Sequence, residues 1–266
     1  MTEDLLKKIK QLPPLPESAM QIEAVYQDPD SSFNDMVKIL EKDPLLTADI
    51  LKAANSPLYG FSREINSISQ AVGLFGMGTV RGFALASIVK KSFALDLSPY
   101  GINADAFSTL SKKQHAIVTA WCLKSNPKLL GVLSPAAFLV EIGKVLIAQQ
   151  IIADNTQEKF KELLGSAMDA QKAEKELAGV DTPEVSASIF EHWKFEQGLV
   201  DTIRYCNNPQ NAQDEIQLCA KILQVARAVV LINGTISQES IATAKELVIK
   251  YGLDMESFEK ALQNAL

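Results

Sequence analysis

The chain has 266 residues, 47% of them hydrophobic and 22% charged, with a formal net charge of −6. These values suit one large globular domain or two small ones, and 11 prolines and 13 glycines leave no room for low-complexity linkers. The acidic balance argues against a nucleic-acid or anionic-membrane partner, because such binding rests on Lys and Arg neutralising phosphates.

In chain order the sequence reads as helix after helix. The first twelve residues have the spacing of a short amphipathic helix and lack the apolar core and cleavage site of a signal peptide, which predicts a cytoplasmic protein. Leu12-Pro13-Pro14-Leu15-Pro16 is a rigid, extended lead-in to a helix over 17–27 that carries Met20, Ile22, Ala24, Val25 and Tyr26. Asp28-Pro29-Asp30 breaks the chain. Ser32 and Asp35 resemble a capping box ahead of the stripe Phe33, Met36, Val37 and Leu40. Asp43 and Pro44 start the next helix, closed by Ser56-Pro57. Asn66 or Ser67 can cap a helix through Phe75, and Gly76 and Gly78 separate it from one running from Thr79 to about Phe93. The first ninety-odd residues thus form a unit of about five helices. No segment alternates with period two for long enough to suggest a strand.

Pro99 and Gly101 mark the one internal boundary, dividing the chain into 1–98 and 99–266. Beyond it a long helix over 105–124 draws a polar stripe of Ser108, Ser111, His115, Thr119 and Cys122 through an apolar surface. Ser134 to Ile152 then reads as one helix, with Ser134 as N-cap and Pro135 in its first turn. It is apolar nearly all round, which belongs in the middle of a core. Glu141 and Lys144 interrupt it, so no run reaches the roughly 18 apolar residues of a membrane span. They lie three apart and can pair. Helices over 156–164 and 167–178 follow, the second stopped by Gly179. Thr182-Pro183 opens a helix to about Trp193, and further helices are expected over 196–206, 213–233 and 238–251, with a short one from Asp254 onward.

Local chemistry-bearing motifs are few. Cys122, Cys206 and Cys219 are odd in number and widely spaced, signalling neither a disulfide framework nor a zinc knuckle. Gly76-Met77-Gly78 lacks the preceding strand and the lysine of a phosphate loop, and reads as a helix corner. Lys90-Lys91 and Lys112-Lys113 read as solvated helix surface. With only two histidines, His115 and His192, no local signature names a nucleophile partner.

Three stretches nonetheless carry a family pattern: LPPLPESAMQI, LEKDPLLTADILKAANSPLYG and INSISQAVGLFGMGTVRGFALA. They resemble the HDOD family, the HD-related output domain, with its LPxLP, DPxLTxxIL, N-S-x-x-Y and I-x-S-I-x-x-A segments in order. The resemblance implies an all-α fold, a helical bundle followed by a domain like the HD metal phosphohydrolases, the two halves forming one unit. In those enzymes a His-Asp dipeptide and further His and Asp residues bind divalent metal and activate water.

The same resemblance places Phe138 to Lys144 on the L-L-H-D-I-G-K segment. Val140 stands where the ligating histidine would be and Glu141 at the aspartate. Cys206 and Asn207 replace the histidines of an H-H-x-P turn, and Thr182 replaces that of a G-x-D-H segment. His115 corresponds to one retained ligand position. Two histidines cannot make a multi-histidine cluster, so no metal and no other cofactor is expected. The emptied pocket is expected to hold a network of His115, Glu141 and Lys144, and no catalytic residue is assigned. Asn55, Ser56 and Tyr59 form the family's turn. One reading makes Asn55 a helix cap and Ser56-Pro57 a redirection of the chain, and the other makes them a contact surface with Arg63 and Arg81.

The expected function is a non-catalytic, cytoplasmic bacterial signalling module that meets unidentified signalling proteins in trans, with neither nucleic acid nor membrane as partner. One alternative is a metal-dependent phosphohydrolase acting on nucleotides or cyclic dinucleotides. A second is a nucleotide sensor that uses the vestigial HD pocket.

Overall fold

Short polar signals between apolar runs set the helix ends. In the computed structural model, which describes residues 1–165 and 170–265, every regular element is a helix. α1 (Glu3–Lys10) starts on Thr2, whose hydroxyl accepts the Leu5 amide. α2 (Glu17–Gln27) follows the proline-rich lead-in, and α3 (Phe33–Glu41) carries the Ser32/Asp35 capping box with both halves made. α4 (Pro44–Ala54) opens on Asp43, whose carboxylate accepts the Leu45 and Leu46 amides, and Ser67 caps α5 (Ile68–Phe75). Caps of this kind contribute about 1 kcal/mol each.

α6 (Met77–Lys91) begins at Met77 rather than Thr79, because Gly76 alone, at φ +80°, turns the chain. Gly78 therefore lies inside α6, where a Cβ would come within 2.7 Å of the Gly131 Cα. That bare surface lets α6 press directly on the chain at Gly131.

α7 (Ala104–Ser125), α8 (Leu130–Leu139) and α9 (Gly143–Ala153) form the centre. α8 packs between α6 and α7, while α9 packs on α12 (Thr182–His192). Here the structure corrects the sequence reading twice. Ser134 and Pro135 do not start a helix but lie inside α8, and the helix expected over 134–152 is broken at Val140 to Ile142. The cause of the break is Ser186 on α12. Its hydroxyl donates to the Val140 carbonyl at 2.7 Å and accepts the Gly143 amide at 2.8 Å, so a side chain stands in the backbone ladder. The turn itself tightens to three-residue hydrogen bonds, Ile142 to Leu139 and Lys144 to Glu141. Residues Pro127–Ala153 together have the length and hydropathy of a membrane span, yet 89% of the most apolar 18-residue window in them is buried inside the fold.

The remaining helices are α10 (Gln157–Leu164), α11 (Ala170–Ala178), α13 (Gln197–Arg204), α14 (Asp214–Val229), α15 (Gln238–Lys250) and α16 (Met255–Ala265). The expected start of α11 at 167 lies outside the described residues. α12 is capped by Asp181, in a capping box with Glu184, and Thr182 is its first helical residue rather than its cap. α14 stops four residues short of position 233, as Val230 turns extended and Gly234 bonds back to Leu231. α14 and α16 both pack on α7. One continuous core results, reaching from Leu5 to Leu262.

Candidate functional site

The break between α8 and α9 turns the Glu141 side chain inward, where helices from distant parts of the chain supply cations. Arg227 on α14 places its Nε 2.8 Å from Glu141 Oε1, and Lys144 places Nζ 3.2 Å from Oε2. Gln114 on α7 donates to Oε1 at 3.1 Å. Lys144 also reaches Glu174 on α11 at 3.1 Å. Glu174 in turn accepts the Thr182 amide and hydroxyl, both at 2.6 Å, and the Tyr100 hydroxyl at 3.0 Å. The result is a buried chain of alternating charge, Arg227 to Glu141 to Lys144 to Glu174. Glu141 and Lys144 are each only 3% exposed.

Burial alone would raise the Glu141 carboxyl, but the charges of Arg227 and Lys144 outweigh it and hold the group well below the usual carboxylate range. Burial would likewise lower Lys144, and Glu174 and Glu141 outweigh it, raising its pKa. Both stay ionised at neutral pH.

The positions matched to lost ligands gather around the same guanidinium. Arg227 Nη1 lies 2.6 Å from Asn207 Oδ1 and 3.6 Å from Cys206 Sγ. Asn207 also donates to Asp181 at 3.0 Å. Thr182 sits one step away, its hydroxyl accepting from Lys144 at 3.1 Å. Val140 contributes a fully buried side chain and the carbonyl that Ser186 holds.

These residues do not fit a divalent metal. Glu141 is already engaged by two cations, and the Asn207 oxygen by one of them. Burial pushes the Cys206 thiol up to about 11, so no thiolate is offered. Among the described residues no group of three or more His, Cys, Asp or Glu side chains is arranged to hold a metal ion. A cavity of about 560 Å³ opens over Glu141, Lys144, Asn207, Gln224 and Arg227, and another of about 430 Å³ lies elsewhere.

His115 is not in this network, contrary to the expected grouping with Glu141 and Lys144. It stands on α7 with Nδ1 2.6 Å from the Tyr59 hydroxyl and Nε2 2.7 Å from Ser134 Oγ. Its ring stacks on Phe138 at 3.9 Å, with Phe83 at 5.1 Å. Full burial holds its pKa well below the usual histidine value, so it is a neutral core residue.

The turn residues divide. Asn55 is exposed, yet its amide is spent on local structure, donating to the Leu51 and Ile65 carbonyls at 2.9 and 2.8 Å and accepting the Ile65 amide at 2.8 Å. Ser56 precedes a 3-10 turn over Pro57–Tyr59 that points Tyr59 inward at His115, while Arg63 is exposed. Arg81 requires correction. Expected on a contact surface, it is completely buried, forked onto Glu23 at 2.6 and 2.7 Å, 3.3 Å from Glu196, and stacked on Tyr26 at 4.1 Å. It also donates to the Gly131 carbonyl at 3.1 Å, the group that Pro135, lacking an amide hydrogen, leaves free four residues on.

Sequence reasoning missed Arg227, Gln114 and Glu174. Arg227 did leave a signal, as the lone charge in the apolar run from Ile222 to Ile232. Glu174 left none, being one of several charges on a polar-looking helix.

The family model for the HDOD domain matches residues 12–209. A crystal structure from Shewanella amazonensis, of a protein provisionally named a phosphohydrolase, is 25% identical, covers 99% of this chain and 94% of its own, and superposes with a TM-score of 0.73. An HDOD domain protein of unknown function from Geobacter sulfurreducens is 19% identical, covers 98% of this chain and 91% of its own, and has a TM-score of 0.69. A curated but uncharacterised protein of Treponema pallidum is 20% identical over 228 residues, 81% of this chain. The chain spans only 41% of that relative's length. Motifs, helical architecture and family match agree, and the chain belongs to the HDOD domain family.

Proposed function

We propose that this chain is a non-catalytic regulatory module of the HDOD family that works by binding other proteins. The observation that carries the reading is Arg227, whose guanidinium lies against Glu141, Asn207 and Cys206, three positions matched to metal ligands in HD hydrolases. A fixed organic cation at that place neutralises the carboxylate a metal would need and supplies no Lewis acid to water. A module without chemistry of its own transmits by contact, and the absence of strong basic character directs that contact to proteins.

The competing reading is a metal-dependent phosphohydrolase, supported by the name of the 25% identical Shewanella neighbour. Elemental analysis of protein purified without chelators or a histidine tag separates the two. Substoichiometric manganese, iron, zinc and nickel, together with no hydrolysis of nucleotides or cyclic dinucleotides when these metals are added, is the expected result. Stoichiometric metal, or metal-stimulated hydrolysis lost in Glu141→Gln, overturns the proposal.

The cavity of about 560 Å³ above the charged chain favours a second reading, a small-ligand sensor. A nucleotide that binds only the folded state must raise the melting temperature, and the rise must continue with the logarithm of its concentration beyond saturation.

A further inference from the structure

Of two basic pairs that read as ordinary surface in the sequence, Lys90-Lys91 and Lys112-Lys113, three members, Lys90, Lys91 and Lys112, come together in space. Lys90 and Lys91 end α6, Lys112 lies on α7, and Lys52 on α4 faces them. Between these helices lies a cavity of about 430 Å³ that shares no lining residue with the cavity over Arg227. Its interior is apolar, made by Phe83, Phe107, Phe138, Leu139 and Ile142. The volume is within the range typical of small-molecule sites, about 300 to 1,000 Å³.

Charge at the mouth is unbalanced. Asp49 is the carboxylate in the lining, and it is already taken by Lys91 at 2.7 Å and the Ser87 hydroxyl at 2.6 Å. Lys52, Lys90 and Lys112 make no ion pair among the described residues. Burial, then the neighbouring charges of Lys90 and Lys52, lowers the pKa of Lys112, while Asp105 pulls weakly the other way. Three cations that repel one another around an apolar hollow, in a protein of net charge −6, are a standing electrostatic deficit. An anion seated there relieves it.

We propose that this cavity binds a small amphipathic organic anion, its carboxylate or phosphate head held by Lys52, Lys90 and Lys112 and its apolar body among Phe83, Phe107 and Phe138. The head needs the lysines and the body needs the cavity, so neither an inorganic anion nor a neutral apolar molecule satisfies both. The floor of the site has a further consequence. Phe138 stacks on His115, and Leu139 and Ile142 flank the turn that presents Glu141, so an occupant touches the joint between α8 and α9 directly. This inference stands apart from the regulatory reading, because it would hold equally for an enzyme.

Isothermal titration calorimetry of the full chain in low-salt buffer tests it with decanoate, decyl phosphate, 1-decanol and inorganic phosphate. Saturable binding of decanoate or decyl phosphate at one per chain is expected, the tighter of the two naming the head group. Lys90→Gln/Lys112→Gln should weaken that binding by at least about tenfold, the value of one lost charge-assisted hydrogen bond, and leave 1-decanol unchanged. Ala86→Trp, which fills the cavity from α6, should abolish binding of the amphiphile while leaving the helical circular dichroism intact. The proposal is overturned if neither amphiphile saturates, if 1-decanol or inorganic phosphate binds as tightly, or if binding survives both variants. It is equally overturned if only an acidic amphipathic peptide saturates the site, since the cavity would then be a groove for protein.

Discussion

Arg227 crosses 86 positions of sequence to set its Nε 2.8 Å from the carboxylate of Glu141. The contact ties α14 to the broken joint of the central helices and places a permanent cation among Glu141, Asn207 and Cys206. It also makes the joint dependent on charge, since Glu141 is the single acid between Arg227 and Lys144.

Removing one partner of a buried pair leaves the other charge uncompensated. Arg227→Met is expected to destabilise the protein by about 3 kcal/mol, the lower end of the range for buried pairs, because solvent reaches part of the arginine. Glu141→Gln should cost a similar amount. The double variant should cost less than the sum by about 1 to 2 kcal/mol, as expected for groups in one network. Urea denaturation of all four proteins measures this, and strictly additive losses would show that the two side chains do not interact.

How much of this was legible beforehand follows from the range of each interaction. The caps at Ser32, Asp43 and Ser67 act within three residues, so the sequence pattern placed the helices they start. The break at Val140 depends on Ser186, 46 positions away, and nothing local to SPAAFLVEIGK announces it. Arg81 was expected on a contact surface with the Asn55 turn, and its burial depends on Glu23 from α2 and on the carbonyl that Pro135 releases. Glu141 and Lys144 were readable as a pair because three residues of helix separate them. The arginine and second glutamate that complete the chain come from other helices, and periodicity carries no information about which helices meet.

Glu141 predicts an acid limit. The carboxyl has its ordinary value of 4.5 in the unfolded chain and a much lower one in the fold, where Arg227 and Lys144 overcome the cost of burial. Stability from this group is therefore complete above about pH 4.5 and is lost as pH falls towards the folded value. Between pH 4.5 and 3 the natural protein should lose stability more steeply than Glu141→Gln by about one proton, about 1.4 kcal/mol per pH unit. Matching urea series at several pH values read the difference, and parallel curves would place the titration elsewhere.

The joint also predicts opposite responses at two helical glycines. A Cβ on Gly143 would meet the Thr182 carbonyl at 2.5 Å and the Ser186 amide at 2.8 Å, both backbone atoms that cannot swing away. Gly143→Ala should destabilise by about 1 to 3 kcal/mol through overpacking. Gly73, exposed on α5, has nothing within 4 Å of its would-be Cβ, so Gly73→Ala should stabilise by about 0.5 to 1 kcal/mol. Melting temperatures moving in the same direction would contradict the close approach of α9 to α12.

His115 gives a pH response in a different window. Its imidazole is fully buried against Phe138, with Tyr59, Ser134 and Thr119 as its polar neighbours and no carboxylate in contact among the described residues, so protonation in the fold is disfavoured. The unfolded chain takes up that proton near pH 6.5, while the folded protein resists it until well below. The unfolded state thus binds more protons, and stability must fall as pH drops below about 6.5, with a slope of about 1.4 kcal/mol per unit. His115→Gln should flatten this slope between pH 6 and 5 whatever its effect on absolute stability. A slope that persists unchanged in His115→Gln would place the titration on another group and contradict the neutral, buried ring.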